Sequence, residues 1–154
     1  MEIHFNRRSR SYGCFSNFAP YAIEIDGRVW PTVEHYFQAQ KFTRTVDEEL
    51  IRLADTPLRA KTLGRDPNRP IRRDWNKVKD AIMYEALCAK FRQHTELTNL
   101  LLETNDAVLI EDNPYDSYWG NGKNGKGLNR MGQLLMRLRA TLRKRPKEGN
   151  IGSA

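Results

Sequence analysis

A chain of 154 residues is the length of one domain, enough to bury a core and too short for two. With 39% hydrophobic and 29% charged residues, its composition is that of a folded globular protein rather than a disordered one. The net charge of +7 points to nucleic acid only until its distribution is read: six basic residues and no acidic one lie between Arg137 and Lys147, and without them acids and bases nearly balance.

In chain order, Met1-Glu2-Ile3-His4 lacks the charged-then-apolar order of a secretory signal. Tyr21-Ala22-Ile23-Glu24-Ile25 alternates with period two, Asp26-Gly27 offers a tight turn, and Arg28-Val29-Trp30 returns, which predicts a β-hairpin. Pro31-Thr32 ends the strand, and Thr32 is placed to cap a helix from Val33 to about Phe42. Short helices are expected at Asp47 to Ala54 and at Pro57 to Leu63, the second opened by proline and closed by Gly64. Asp74 to Gln93 carries Trp75, Val78, Ile82, Ala86 and Phe91 near the helical period, and Leu97 to Glu103 continues helically. Ala107 to Ile110 reads as a strand and Leu128 to Leu142 as a last amphipathic helix. The expected fold is α+β, a helix-rich single domain over residues 1–146 with a small sheet, followed by a polar tail at 147–154. Leu100-Leu101-Leu102 and Ala107-Val108-Leu109-Ile110 are the longest apolar runs, too short for a membrane span. Cys14 and Cys88 read as thiols of a cytoplasmic protein, and His4, His35 and His94 are too scattered for a metal site.

Two segments have the residue types of a reaction site. In Pro31 to Phe42, Glu34, Gln38 and Lys41 stand at i, i+4 and i+7 and share one helix face, beside Val33, Phe37 and Phe42. Partial burial would raise the pKa of such a carboxyl and lower that of the amine, giving a nucleophile with a proton carrier next to it. Periodicity alone is met as well by the polar stripe of an ordinary surface helix. In Asp116 to Arg130, four of the ten glycines fall within eight residues, ahead of the last helix. Glycines there let the backbone approach a ligand, and N–H groups leading into a helix favour an anion. Trp119 offers a stacking face, and Lys123 or Lys126 a partner for phosphate; a plain surface loop has the same composition. Gly64-Arg65-Asp66 with Arg72-Arg73 forms a further basic cluster.

Phe15-Ser16-Asn17-Phe18, the run from Trp30 to Phe42, Gly64-Arg65-Asp66, Ala89-Lys90-Phe91, Tyr118-Trp119-Gly120, Gly125-Lys126-Gly127 and Asn129-Arg130 together resemble the NADAR (YbiA-like) family, in order and in spacing, from about Tyr12 to Arg139. The resemblance implies the YbiA-like fold and an N-glycosidase without metal or organic cofactor. It implies that Glu34 is the acid/base group and Lys41 the lysine that forms a Schiff base with ribose C1. It places Asn17, Phe18, Gln38, Arg65, Asp116, Trp119, Gly120, Lys126 and Asn129 at the ligand.

Three functions remain open on this reading. The substrate is a ribosylamino-pyrimidine phosphate of early riboflavin synthesis, or it is ADP-ribosylated guanine in DNA or RNA, or the domain binds ADP-ribose or a nucleotide without turnover. The basic C-terminal tail is what keeps nucleic acid in view as a partner; a membrane is not expected.

Overall fold

The computed structural model describes residues 1–144. The tail at 147–154, with Arg145 and Lys147, lies outside the described residues. Among the described residues no helix is long and apolar enough to cross a membrane.

Glu2 to Phe5 form strand β1, in which Ile3 and Phe5 turn inward and Glu2 and His4 outward. It pairs in parallel with β4 (Val108–Glu111), with Ile3 opposite Leu109 and Phe5 opposite Glu111. The sequence reading does not foresee β1, because four residues carry too short a pattern and the partner stands more than a hundred positions away. β2 (Ile23–Ile25) and β3 (Arg28–Trp30) form the expected hairpin. Asp26 and Gly27 both take positive φ, 52° and 77°, the geometry that makes Asp-Gly a two-residue hairpin turn. The small sheet is thus two separate strand pairs.

Helix α1 (Val33–Ala39) is buried along its whole length. The Thr32 hydroxyl accepts from the His35 N–H at 3.2 Å, and the His35 ring bridges Thr32 Oγ1 at 2.8 Å and the Ala54 carbonyl at 2.9 Å. Because a carbonyl only accepts, the Nε2 facing Ala54 carries the ring proton, and burial holds the His35 pKa below its usual value. α1 does not run to Phe42: Gln40 to Phe42 tighten into a 3-10 turn, and Arg44 at φ 64° ends it. α2 (Val46–Arg52) and α3 (Pro57–Gly64) pack on α1, as does α4 (Trp75–Gln93). Thr56 caps α3 by accepting from the Arg59 N–H at 3.0 Å. α5 (Thr95–Glu103) starts two residues before the expected position, after an extended His94 whose ring is 2.6 Å from the Ala22 carbonyl. α6 (Arg130–Arg143) begins later than Leu128, because Asn129 takes a left-handed conformation that no helix continues.

Among the described residues of the basic run near the chain end, three arginines make tertiary contacts. Arg139 is buried and donates to Thr104 Oγ1 at 2.8 Å and the Ala107 carbonyl at 2.9 Å. Arg143 pairs with Asp106 at 3.0 Å, and the Arg137 guanidinium sits 4.1 Å from the Tyr84 ring centroid. These three arginines fasten α6 to its neighbours.

Two contacts tie the fold to its interior polar groups. Gly64 lies so close to Gln38 that a Cβ there would collide with the amide, falling 2.8 Å from Gln38 Cβ. Gly64→Ala is expected to lower stability by about 1–3 kcal/mol, read as a lower midpoint in urea unfolding, through overpacking between α1 and α3. Lys90 is fully buried on α4 and donates to the Ser16 carbonyl at 2.9 Å; burial lowers its pKa to about 7. The unfolded chain binds that proton up to a pH of roughly 10, so wild-type stability should rise as pH climbs from about 7, since the unfolded state then holds the extra proton. Lys90→Met should lose that part of the rise in melting temperature measured across pH 7 to 10.

Candidate active site

The turn before the hairpin and the buried helix are joined where the Glu34 N–H donates to the Asn17 carbonyl at 3.2 Å. Around it lies a cavity of about 610 Å³, lined on one side by Asn17, Phe18, Glu34, Phe37, Gln38 and Lys41. Trp75, Lys79 and Met83 of α4 contribute another wall, and Glu111, Asp116 and Trp119 a third. A cavity of this size, between packed elements and with polar and charged groups converging on it, has the form of a small-molecule site.

Its polar groups are unusual in what they lack. Glu34 is 7% exposed and accepts one bond, from Gln38 Nε2 at 2.8 Å. Burial raises the Glu34 pKa; Gln38 and the cations Lys61, Lys41 and Arg65 only moderate the rise. Lys41 Nζ donates to the Gly64 carbonyl at 3.2 Å and lies 5.8 Å from the Trp75 ring centroid. Burial, opposed by Glu34 and reinforced by Arg65 and Lys79, lowers its pKa to about 8. No ion pair joins Glu34 to Lys41 among the described residues, so each keeps its reactive atoms for something between them. Asn17 Oδ1 and Gln38 Oε1 are buried without a hydrogen-bond partner. Two unsatisfied carbonyl acceptors in a cavity wall are costly in isolation and ready for a ligand hydroxyl or amine.

The opening is cationic. Arg7 and Lys61 hold their charges 5.4 and 5.7 Å from the Phe18 ring centroid, and Arg8, Arg65 and Lys79 also line the cavity. None of these five is in an ion pair among the described residues, in contrast to Arg72, which Asp74 occupies at 2.6 Å outside the lining. Arg73 is likewise absent from the lining.

The glycine-rich loop does something other than its composition predicts. The N–H groups that open α6 are already used: Arg130 donates to the Tyr118 carbonyl at 3.0 Å and Met131 to the Trp119 carbonyl at 3.1 Å. They are therefore closed to an anion. Gly127 packs where a Cβ would come within 2.6 Å of the Gly120 carbonyl, so the glycines fold the loop onto itself. Gly120, Lys126 and Asn129 lie outside the cavity lining, and Lys123 is also absent from it. Asn129 instead accepts from the Glu111 N–H at 3.0 Å and donates to the Leu109 carbonyl at 2.9 Å, clamping the end of β4. Lys126 is exposed, its N–H on Asn124. Asp116 and Trp119 are at the cavity, and the Asp116 carboxylate orients the indole by accepting from the Tyr118 and Trp119 N–H groups at 2.9 and 2.8 Å. Trp119 then stands edge-on to Phe37, 5.4 Å between centroids.

Arg7, Arg8, Lys61 and Glu111 are among the lining residues that sequence reasoning did not single out. The signal for Glu111 was an acid ending the apolar run Val108-Leu109-Ile110. Its meaning depends on the parallel pairing with β1, because sites gather beyond the carboxyl ends of parallel strands.

Over residues 4–143 the chain matches the NADAR domain. It is 51% identical over 140 residues to N-glycosidase YbiA of Escherichia coli K12, a match that covers 91% of this chain and 88% of that protein. An N-glycosidase of Nostoc punctiforme is 47% identical over 146 residues, covering 93% of this chain and 94% of its own. The chloroplastic riboflavin biosynthesis protein PYRR of Zea mays is 40% identical over 169 residues, covering 99% of this chain and 27% of that longer protein. The NMR structure of Escherichia coli YbiA superimposes with a TM-score of 0.85 at 50% identity, over 93% of this chain and 87% of that one. In sequence across nearly all its described residues, and in fold, the chain belongs to the NADAR family.

Proposed function

We propose that this NADAR-family protein, a hydrolase of N-glycosyl bonds, acts on the C1–N bond of ribosylamino-pyrimidine phosphates of early riboflavin synthesis. The observation that carries the reading is the buried Glu34 and the half-buried Lys41, unpaired with each other in a cavity whose mouth is cationic. A lysine with a pKa of about 8 is partly neutral at physiological pH and so has a lone pair to offer a sugar carbon. Its neighbour Glu34, whose carboxylate burial makes a stronger base, takes the proton that Lys41 sheds once bonded to the sugar and returns it when water expels the lysine. In open-chain form the lysine adduct at C1 is a Schiff base. Arg7, Arg8, Lys61 and Arg65 suit the substrate phosphate, Trp119 the face of the base, and Asn17 and Gln38 the ribose hydroxyls or ring amines. The names of the relatives support the same reading: two are N-glycosidases, and the maize protein belongs to riboflavin biosynthesis.

A second reading, removal of ADP-ribose from ADP-ribosylated guanine in nucleic acid, is favoured by one feature. An open groove lined by Gly13, Cys14, Pro20 and Tyr21 shares Arg7 and Phe18 with the cavity, so a larger leaving group has somewhere to lie.

Lys41→Ala and Glu34→Gln are each expected to lower kcat by at least about a hundredfold, with melting temperatures close to wild type. Full turnover in either variant would rule the pair out. Parallel assays on the ribosylamino-pyrimidine phosphate and on guanine-ADP-ribosylated DNA, each with the Lys41→Ala control, decide the substrate. Cleavage of the pyrimidine compound alone, weakly dependent on salt, is the expected result. Release of ADP-ribose from DNA, falling steeply from 50 to 200 mM salt, would transfer the function to the second reading.

A further inference from the structure

We infer that Glu111 is a second carboxyl of the reaction, the general acid that protonates the departing nitrogen. The inference rests on the N-glycosidase reading above and adds a residue to it. Glu111 closes β4 and lines the same cavity as Glu34, from the wall that also carries Asp116 and Trp119. Lys41 and Gln38 come from the other side, on or just beyond α1. A substrate seated between these walls has its sugar toward Lys41 and its base toward Trp119, which sets Glu111 beside the bond that breaks.

Three observations support this role. First, the backbone of Glu111 is held on both edges: its N–H donates to Asn129 Oδ1 at 3.0 Å, and its carbonyl accepts from the Asn121 N–H at 3.0 Å. A side chain on a strand end fixed in this way is preorganised, as an acid that must meet one atom has to be. Second, the carboxyl itself has no hydrogen-bond donor among the described residues, although it is largely removed from solvent. Asp116, by contrast, uses an oxygen to hold Tyr118 and Trp119, and Asp112 is bonded to His4 and Asn121. Third, the charged groups that act on Glu111 are Asp116 and Glu34, which oppose its ionisation, and Lys61, which favours it; burial is the largest influence, and together they raise its pKa to about 7. A carboxyl that is half protonated near neutral pH is suited to giving up a proton during turnover.

The electron and proton balance is simple. The Lys41 lone pair bonds to ribose C1 while the C1–N pair passes to the leaving nitrogen, which takes the proton of Glu111. Water then adds to C1 and displaces Lys41, and the Glu111 carboxylate takes the proton that this water sheds. Glu34 exchanges a proton only with Lys41, so both carboxyls and the lysine finish as they began. This separates two tasks that one buried carboxyl would otherwise have to perform on opposite sides of the sugar.

The test compares wild type, Lys41→Ala, Glu111→Gln and Glu111→Asp on the ribosylamino-pyrimidine phosphate and on guanine-ADP-ribosylated DNA, with kcat and KM measured from pH 5.5 to 9. With Lys41 required neutral and Glu111 required protonated, wild-type activity rises to a maximum between about pH 7 and 8 and falls at higher pH. Glu111→Gln should lose about a hundredfold or more in kcat with KM within about threefold, and should no longer show that alkaline fall. Glu111→Asp, which keeps a carboxyl and serves if the glutamine variant does not fold, should retain the fall at reduced kcat. The inference is overturned if Glu111→Gln keeps kcat within about threefold while Lys41→Ala is dead, a result that leaves the N-glycosidase reading standing. It is equally overturned if kcat drops but the alkaline fall persists unchanged, since the residue would then be structural. A wild type inert toward both substrates would remove the reading itself.

Discussion

Placing a carboxyl inside a protein without a counter-ion is the constraint from which the rest of this site follows. Charge in a low-dielectric interior is costly, and the structure meets the cost at Glu34 with one amide bond from Gln38 and a raised pKa instead of a salt bridge. That solution requires α1 to be enclosed on every side, which seven residues cannot achieve alone. α2, α3 and α4 all press on it, and Gly64 of α3 is the point where the approach is tightest. Lys41, just past the end of the helix, inherits the same dry surroundings, so that one act of burial moves an acid and a base toward each other in pKa. Neither group would be chemically interesting on a solvated helix face.

The loop that closes the other side of the cavity obeys a different economy of hydrogen bonds. Its glycines and asparagines satisfy the amide groups of the next helix internally and pass that rigidity to β4 and to the indole of Trp119. The positive charge at the cavity therefore comes from side chains dispersed over the N-terminal segment, α3 and its end, and α4. On the proposed reading, such a mouth of long side chains would draw an anionic substrate from a distance without fixing its orientation. Orientation is left to the unsatisfied amide oxygens deeper inside.

How far the chain could be read without coordinates follows from the range of each interaction. The Asp26-Gly27 turn, the Thr32 cap, Pro57 at the start of α3 and the long period of α4 are local, and each is set by neighbours within a few residues. Glu34, Gln38 and Lys41 were legible as a set because helical spacing brings them together, although the final turn tightens and places Lys41 slightly off the regular face. β1 was not legible, nor was the service of Arg137, Arg139 and Arg143 to packing, because their partners are 30 to more than 100 positions away. Charge counting made those arginines look like a tail; only tertiary contacts show three of them fastened down. The same limit hid Glu111 and, at the mouth, Arg7, Arg8 and Lys61, and it made the glycine loop look like a phosphate cradle.

The parallel pairing of β1 with β4 has a consequence for how the protein is made. Residues 2–5 have no strand partner until residue 111 has been made, so this pair closes a loop of more than a hundred residues, a contact of the kind that forms slowly. Until then one wall of the cavity is missing, and the half-finished domain presents an edge strand and an apolar helix bundle to the cell. The wall of the cavity that carries Glu111 is thus complete only once β1 and β4 have paired.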